Sequence, residues 1–235
     1  MKPITIGVAI PCYQGHLEAL GNLLESINLQ SRKPDMVIVS CSSAVSCINP
    51  YSSTNYSFPF DIIFHYEVKN AAENRNIAAS HLTTDVITFI DADDTMHPQR
   101  IAVIETCFTK YQHIAILMHN HNMSPNEPFE HYENLDCFQF NKLFKCKNGS
   151  TQHRDYLYMG IIHNGQPSVP RDVFMTAPFD ESLSSYGKED TLFCTRIITM
   201  FPEQTAYCPY QLSGYIPSHT QVPIASDNTP MNMIV

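Results

Sequence analysis

The chain has 235 residues, the size of one domain or one domain with a small extension. Apolar residues make up 43% and charged residues 16%, which allows a sizeable core and argues against wholesale disorder. Fourteen basic against 23 acidic side chains leave a net charge of −9, which weakens the case for a nucleic-acid partner, since that needs a basic footprint. An anionic small molecule stays open as a ligand, because a bound cation reverses the local field.

Eight cysteines, at positions 12, 41, 47, 107, 137, 146, 194 and 208, include no C-x-x-C pair. They are expected to be reduced, mostly buried thiols of an intracellular, cytoplasmic protein. The first apolar run is short, stops at Pro11 and is followed by no small-residue cleavage site, so no secretory leader is expected. No apolar run approaches the ~20 residues of a membrane span.

Ile4 to Ile10 reads as a buried strand ended by Pro11. Leu17, Leu20, Leu24 and Ile27 fall at helical spacing and predict an amphipathic helix over 16–30. Met36 to Val39 is a second strand, so the chain opens on the strand-helix-strand pattern of a parallel sheet. Residues 42–60 read as a loop. A strand over Asp61–Tyr66 and an alanine-rich helix over Ala71–His81 follow. Val86 to Ile90 is a strongly β-prone strand that runs into Asp91-Ala92-Asp93-Asp94. Pro98 suits the first turn of the next helix, whose apolar face is Ile101, Ile104, Phe108 and Tyr111. Ala115 to Met118 is another strand. Residues 120–160 show no period. A helix returns over Glu189–Met200, and residues 216–235 read as a Pro- and Ser-rich tail.

Open α/β sheets bind ligands at the carboxyl ends of their strands, which is where Asp91, Asp93 and Asp94 stand. In an extended segment residues i and i+2 point the same way, so Asp91 and Asp93 converge on one point. Two carboxylates so close favour a cation between them. Oxygen ligands at an open site suit Mg²⁺ or Mn²⁺, which can neutralise a diphosphate leaving group. The same acids also suit the start of a helix.

The stretch from Lys69 to Arg100, KNAAENRNIAASHLTTDVITFIDADDTMHPQR, resembles the core of family two glycosyltransferases. The matching residues are Arg75-Asn76, then Asp91-Ala92-Asp93-Asp94, then Pro98. Ala9-Ile10-Pro11-Cys12-Tyr13-Gln14 is similar to that family's first strand and turn. Pro178-Phe179-Asp180-Glu181-Ser182-Leu183 with Glu189-Asp190 resembles its Phe-Asp-Glu-x-Leu and Glu-Asp. The three motifs lie in family order over about residues 4–200. The resemblance implies the GT-A fold: a mostly parallel sheet flanked by helices, with residues 1–118 as a Rossmann-like nucleotide-binding half and 119–215 as an acceptor-binding half. It implies an inverting, metal-dependent transfer from a nucleotide-diphospho-sugar to a hydroxyl acceptor, in glycan assembly, with Mn²⁺ or Mg²⁺ as cofactor.

By the same resemblance Pro11 and Tyr13 face the nucleobase and Arg75 contacts the nucleotide. Asp91 holds the ribose or the metal, and Asp93 ligates the metal. Asp94 stands behind them or caps a helix. His219 is the candidate third metal ligand. Asp190 is the general base, with Glu189 as its rival, and Glu189 and His163 are assigned to the acceptor. His119-Asn120-His121 lacks a Cys or acidic partner at zinc spacing. One departure concerns the base: where the family carries an acidic pair after its second strand, this chain has Ser40-Cys41-Ser42-Ser43. UDP is the family's default donor nucleotide. A sugar-phosphate nucleotidyltransferase would need a Gly-rich phosphate loop, a dinucleotide oxidoreductase a G-x-G-x-x-G, and neither occurs. A binding module of the same fold without catalysis is the remaining alternative.

Overall fold

The computed structural model describes residues 3–43, 49–122, 128–141, 166–182 and 188–216. In chain order these form β1 (Ile6–Tyr13), α1 (Leu17–Asn28), β2 (Met36–Ser42), β3 (Phe60–Phe64), α2 (Ala71–Ser80), β4 (Val86–Phe89), β5 (Thr95–Met96), α3 (Arg100–Lys110), β6 (Ile116–Asn122), β7 (Gln139–Phe140), β8 (Ser168–Pro170), α4 (Arg171–Thr176), α5 (Glu189–Met200) and β9 (Thr205–Gly214). The strands make one sheet in the order β3-β2-β1-β4-β8-β6-β9-β5, with β7 added on β9. The long ladders, β3-β2-β1-β4 and β6-β9, are parallel. The short ladders made by β5, β7 and β8 are antiparallel. None of the helices among the described residues is long and apolar enough to cross a membrane.

The strands are apolar on both faces because both faces are covered. On β1 and β2, Ile6, Val8, Ile10, Val37 and Val39 face the α1–α3 side. There α1 presents Leu20, Leu23, Leu24 and Ile27, and α3 presents Ile101 and Ile104. Ala9 and Ile38 turn to the other side, against α2 and α5. That side is closely packed. A Cβ on Gly7 would come within 2.5 Å of Thr84 Oγ1 and 2.7 Å of Leu82, and α2 presents the small Ala72, Ala78 and Ala79. The helix starts at an Asn70–Glu73 capping box, in which each side chain accepts from the other residue's backbone N–H.

Several boundaries differ from the sequence reading. β1 does not stop at Pro11 but continues to Tyr13 along β2. The missing N–H of Pro11 falls on the β4 side, where pairing has already ended at Ala9–Phe89, so no ladder bond is lost. α1 begins at Leu17, after a single 3-10 turn over Gln14–His16. α3 begins at Arg100 rather than at Pro98. β9 was not anticipated from the sequence, and Pro209 lies inside it. Its ladder with β6 shifts register just there, between His119–Cys208 and Asn120–Gln211, and that bulge admits the proline. β5, β7 and β8 are two or three residues long, too short to show a period.

His119 on β6 is buried among these strands. Its Nδ1 donates to the Asn120 carbonyl at 2.7 Å, and the buried Nε2 has no hydrogen-bond partner among the described residues. Its ring lies in the core of the sheet. Burial, then the Arg100 charge, holds the imidazole well below its ordinary value, so it is neutral in the fold. The unfolded chain takes up a proton below pH ~6.5 that the folded chain refuses. Stability therefore falls as pH drops through that range, by up to ~1.4 kcal/mol per pH unit. His97, lowered by its own burial, adds in the same sense. Urea unfolding between pH 7.5 and 5 should show His119→Gln with a shallower loss of stability than the parent chain; equal slopes would refute the assignment.

Candidate active site

β4 ends at Phe89 and delivers the acidic cluster to the carboxyl edge of the sheet. The cluster is not extended, as the i, i+2 argument supposed, but turned: the Asp94 N–H donates to the Asp91 carbonyl at 3.1 Å. Ala92 faces inward and is buried, while Asp91 and Asp93 stay partly open at 26% and 18% side-chain exposure. The two carboxylates are still close enough for Asp93 to raise the pKa of Asp91.

Asp94 caps no helix, since Gln99 holds the N-cap position of α3. It is buried, and it accepts from the Ile216 N–H at 3.1 Å and from Gln166 Nε2 at 2.6 Å. Gln166 Oε1 in turn accepts from Arg100 Nη1 at 3.2 Å. Arg100 Nη2 donates to the Phe89 carbonyl at 2.7 Å and to Thr88 Oγ1 at 3.0 Å. Burial, then the charge of Asp91, pushes Asp94 up to about 8, and burial pulls Arg100 down to about 9. This network ties the acidic turn to the start of β8 and the end of β9. The sequence reading missed it because Arg100 and Gln166 lie 66 positions apart.

Arg75 lies behind the turn. The sequence reading placed it against a nucleotide, but its side chain is only 4% exposed. Nη2 donates to Asp91 Oδ1 at 2.8 Å and Nη1 to Glu189 Oε1 at 3.2 Å. Its guanidinium carbon sits 5.4 Å from the centre of the Phe179 ring. Burial opposes the charge, but Asp91, Asp190 and Glu189 together outweigh it and hold Arg75 above its ordinary value. Asp91 is raised by burial, with Arg75 pulling the other way. Glu189 Oε2 is buried with no hydrogen-bond partner among the described residues.

The neighbouring Asn76 fixes the third motif. Its Nδ2 donates to the Phe179 carbonyl at 2.9 Å and to Glu181 Oε1 at 2.8 Å, and its Oδ1 accepts from the Phe179 N–H at 2.9 Å. The Phe179 ring stacks on Phe193 of α5 with centroids 3.9 Å apart and packs edge-on against Phe89 of β4. One Arg-Asn pair on α2 thus sets α5, with Glu189 and Asp190 in its first turn, against the end of β4. Asp190 Oδ1 accepts from the Thr191 N–H at 3.0 Å, and its charge reaches both Arg75 and Asp91. Lys188 is exposed at the helix start, and Arg196 donates to the Pro178 carbonyl.

At the end of β1, Pro11 is buried and Tyr13 is partly exposed. The tight 3-10 turn brings His16 beneath Tyr13, with ring centroids 4.2 Å apart. A Cβ on Gly15 would lie 2.4 Å from the Tyr13 ring, so a larger residue there would displace that ring. His16 Nε2 lies 3.6 Å from Asp93 Oδ2. The sequence reading did not single out His16, although its i, i+3 spacing from Tyr13 was visible. Across the edge, where the family carries an acidic pair that this chain lacks, Ser40 and Ser42 are fully buried. Ser40 Oγ donates to Asn74 Oδ1 at 2.9 Å, and Ser42 Oγ accepts from Asn74 Nδ2 at 3.0 Å.

Among the described residues no three His, Cys, Asp or Glu side chains form a metal cage. The open carboxylates of Asp91 and Asp93 nevertheless fit a hard divalent cation, which is commonly bound by one or two carboxylates and completed by substrate phosphates and water. His163, His219 and Gly187 lie outside the described residues.

The model of the family "Glycosyl transferase family 2" matches residues 7–175. The chain belongs to that family. Solved structures share its GT-A fold, a mixed sheet with helices on both faces. The S. aureus TarS 1-349 structure in complex with UDP-GlcNAc is 12% identical, with a TM-score of 0.68, and the match covers 93% of this chain and 60% of that one. The mannosyltransferase PcManGT from Pyrobaculum calidifontis, in complex with GDP-Man and Mn²⁺, is 14% identical, with a TM-score of 0.63 and coverage of 93% and 59%. At such identities the likeness is one of fold, and the chain spans about three fifths of the length of these structures. No curated protein sequence matches it.

Removing one partner of a buried ion pair leaves an uncompensated charge and costs about 3–5 kcal/mol. Arg75→Met, which keeps much of the apolar volume, should therefore lose about that much stability in urea unfolding. Adding Asp91→Asn and Glu189→Gln should restore part of it. A loss below about 1 kcal/mol, the range of exposed pairs, would show that the bridge carries little.

Proposed function

We propose that the chain is a metal-dependent, inverting glycosyltransferase that moves a sugar from a nucleotide-diphospho-sugar to an acceptor hydroxyl, in glycan assembly. The observation that carries this reading is Arg75 held between Asp91 and Glu189, because it sets the acidic turn and the first turn of α5 on one side chain. Asp93 and Asp91 hold the cation. Mn²⁺ or Mg²⁺, when bound, supplies the positive charge that neutralises the departing diphosphate.

The division of labour between the two acids of α5 follows from their surroundings. One oxygen of Glu189 is committed to Arg75, which fixes the position of that carboxylate. Asp190, partly exposed beside it, takes the acceptor proton as the hydroxyl oxygen bonds to the anomeric carbon. Attack opposite the leaving diphosphate, in a single displacement, inverts that carbon. Pro11 and Tyr13 lie on the nucleobase side, and Arg75 acts on the nucleotide through Asp91. TarS binds UDP-GlcNAc and PcManGT binds GDP-Man, so this fold accepts more than one base. UDP is the default from family resemblance, and the closed Ser40–Asn74–Ser42 network offers a base no carboxylate.

Two measurements test the proposal. Asp93→Ala should weaken Mn²⁺-dependent UDP binding in calorimetry by at least the ~10- to 100-fold that losing a metal's outer-shell partner costs; unchanged affinity would remove the metal assignment. Asp190→Asn cannot accept a proton. With nucleotide sugar and acceptor it should lower kcat by ~10²- to 10⁴-fold while donor affinity holds. Near-full rate in Asp190→Asn with a dead Glu189→Gln would transfer the role to Glu189.

A further inference from the structure

Among the described residues two pairs of cysteines meet. Cys12 and Cys41 are register partners near the ends of β1 and β2, and both are buried. Cys137 and Cys208 are placed differently. Their sulfurs lie 3.4 Å apart. Cys208, in β9, is fully buried, whereas Cys137, just before β7, is partly exposed. We propose that Cys137 and Cys208 form an oxidisable dithiol, a modification site for hydroperoxides in which Cys137 reacts first and Cys208 closes the disulfide.

The backbone on both sides holds the two sulfurs together. On one side β7 pairs with β9 through Gln139–Tyr207 and Phe140–Ala206. On the other, Tyr132 stacks on Tyr210 with centroids 3.8 Å apart, and the Tyr210 hydroxyl donates to the Asn134 carbonyl at 2.8 Å. Thiols already in contact need little backbone movement to bond. The pair also divides into the two roles the chemistry requires. A reactive sulfur must be reachable and thiolate-like, with a resolving thiol beside it. The hydrogen bond from Cys208 holds Cys137 below the usual thiol value against its partial burial. Cys208 is raised by its hydrogen bond to Cys137 and by burial. Cys12, Cys41, Cys107 and Cys194 are buried and offer no such access.

The step balances with one hydroperoxide. The Cys137 thiolate attacks the outer peroxide oxygen, the O–O bond breaks, and the remaining alkoxide takes a proton and leaves as alcohol. Cys137 is then a sulfenic acid. The Cys208 sulfur attacks the Cys137 sulfur, the S–O bond breaks, and the hydroxide leaves as water with the Cys208 proton. The two sulfurs together lose two electrons, which the peroxide gains. A dithiol reductant reverses the bond by exchange.

The test uses the full chain, reduced and then exposed to hydrogen peroxide in slight excess. Remaining thiols are alkylated in denaturant, and the peptides are mapped by mass. The expected result is a peptide pair joined through Cys137 and Cys208, released by dithiothreitol, with Cys12, Cys41, Cys107 and Cys194 all alkylated. In Cys208→Ser, dimedone should trap a sulfenic acid on Cys137; in Cys137→Ser, Cys208 should stay fully alkylatable. The mapping of the parent chain needs no variant, so it decides even if a variant fails to fold. A bridge between any other two cysteines, a sulfinic acid on Cys137 beside an alkylated Cys208, or no oxidation at all would overturn the proposal.

Discussion

A guanidinium that is nearly shut off from water has to be neutralised where it sits, because an unpaired charge there costs several kcal/mol. Arg75 meets this condition with two carboxylates that come from opposite ends of the chain's order, Asp91 after β4 and Glu189 at the start of α5. The sheet edge and the late helix cannot drift apart without exposing or orphaning one of these charges. Asn76 adds a neutral clamp from the next position on α2, and the Phe179–Phe193 stack closes the apolar side. Polar pairing fixes direction while aromatic packing supplies buried area.

A second basic residue works underneath. Among the described residues Arg100 has no carboxylate in contact and is served by carbonyl, hydroxyl and amide oxygens. Through Gln166 it reaches Asp94, and through Asp94 it reaches Ile216. The acidic turn is thus held on one side by an ion pair and on the other by neutral hydrogen bonds. Asp91 and Asp93 keep faces toward the edge because the holding groups approach from behind.

The regular first part of the chain was legible because each element there is long enough to show a period and is bounded by a cap or a proline. The leucine stripe of α1 and the alanines of α2 are examples. The three motifs were legible as spacings, and the structure brings them together. What the spacing did not carry was depth: nothing local distinguishes Arg75 as buried from Arg75 as a surface contact, since burial is decided by Phe179 and Glu189 far along the chain. The turn at Asp91–Asp94 was misread as extended because β propensity runs up to Ile90 and only the backbone bond from Asp94 to Asp91 reverses the chain. β5, β7 and β8 owe their strand character to partners rather than to their own sequence.

β8 is short, yet it is the strand between the parallel block β3-β2-β1-β4 and the block β6-β9, meeting β4 at three register pairs and β6 at one. It is also late in the chain. The two blocks therefore cannot zip into one sheet until residues 168–170 are in place, long after β4 and β6 have been made. Until then β4 has an open edge, the kind of edge that recruits strands from other chains. The loop that brings β8 back to β4 must close before any contact rewards it, which places this joint among the slow steps of folding. The three residues that give the sheet its continuity are also the ones that cover the edge of β4.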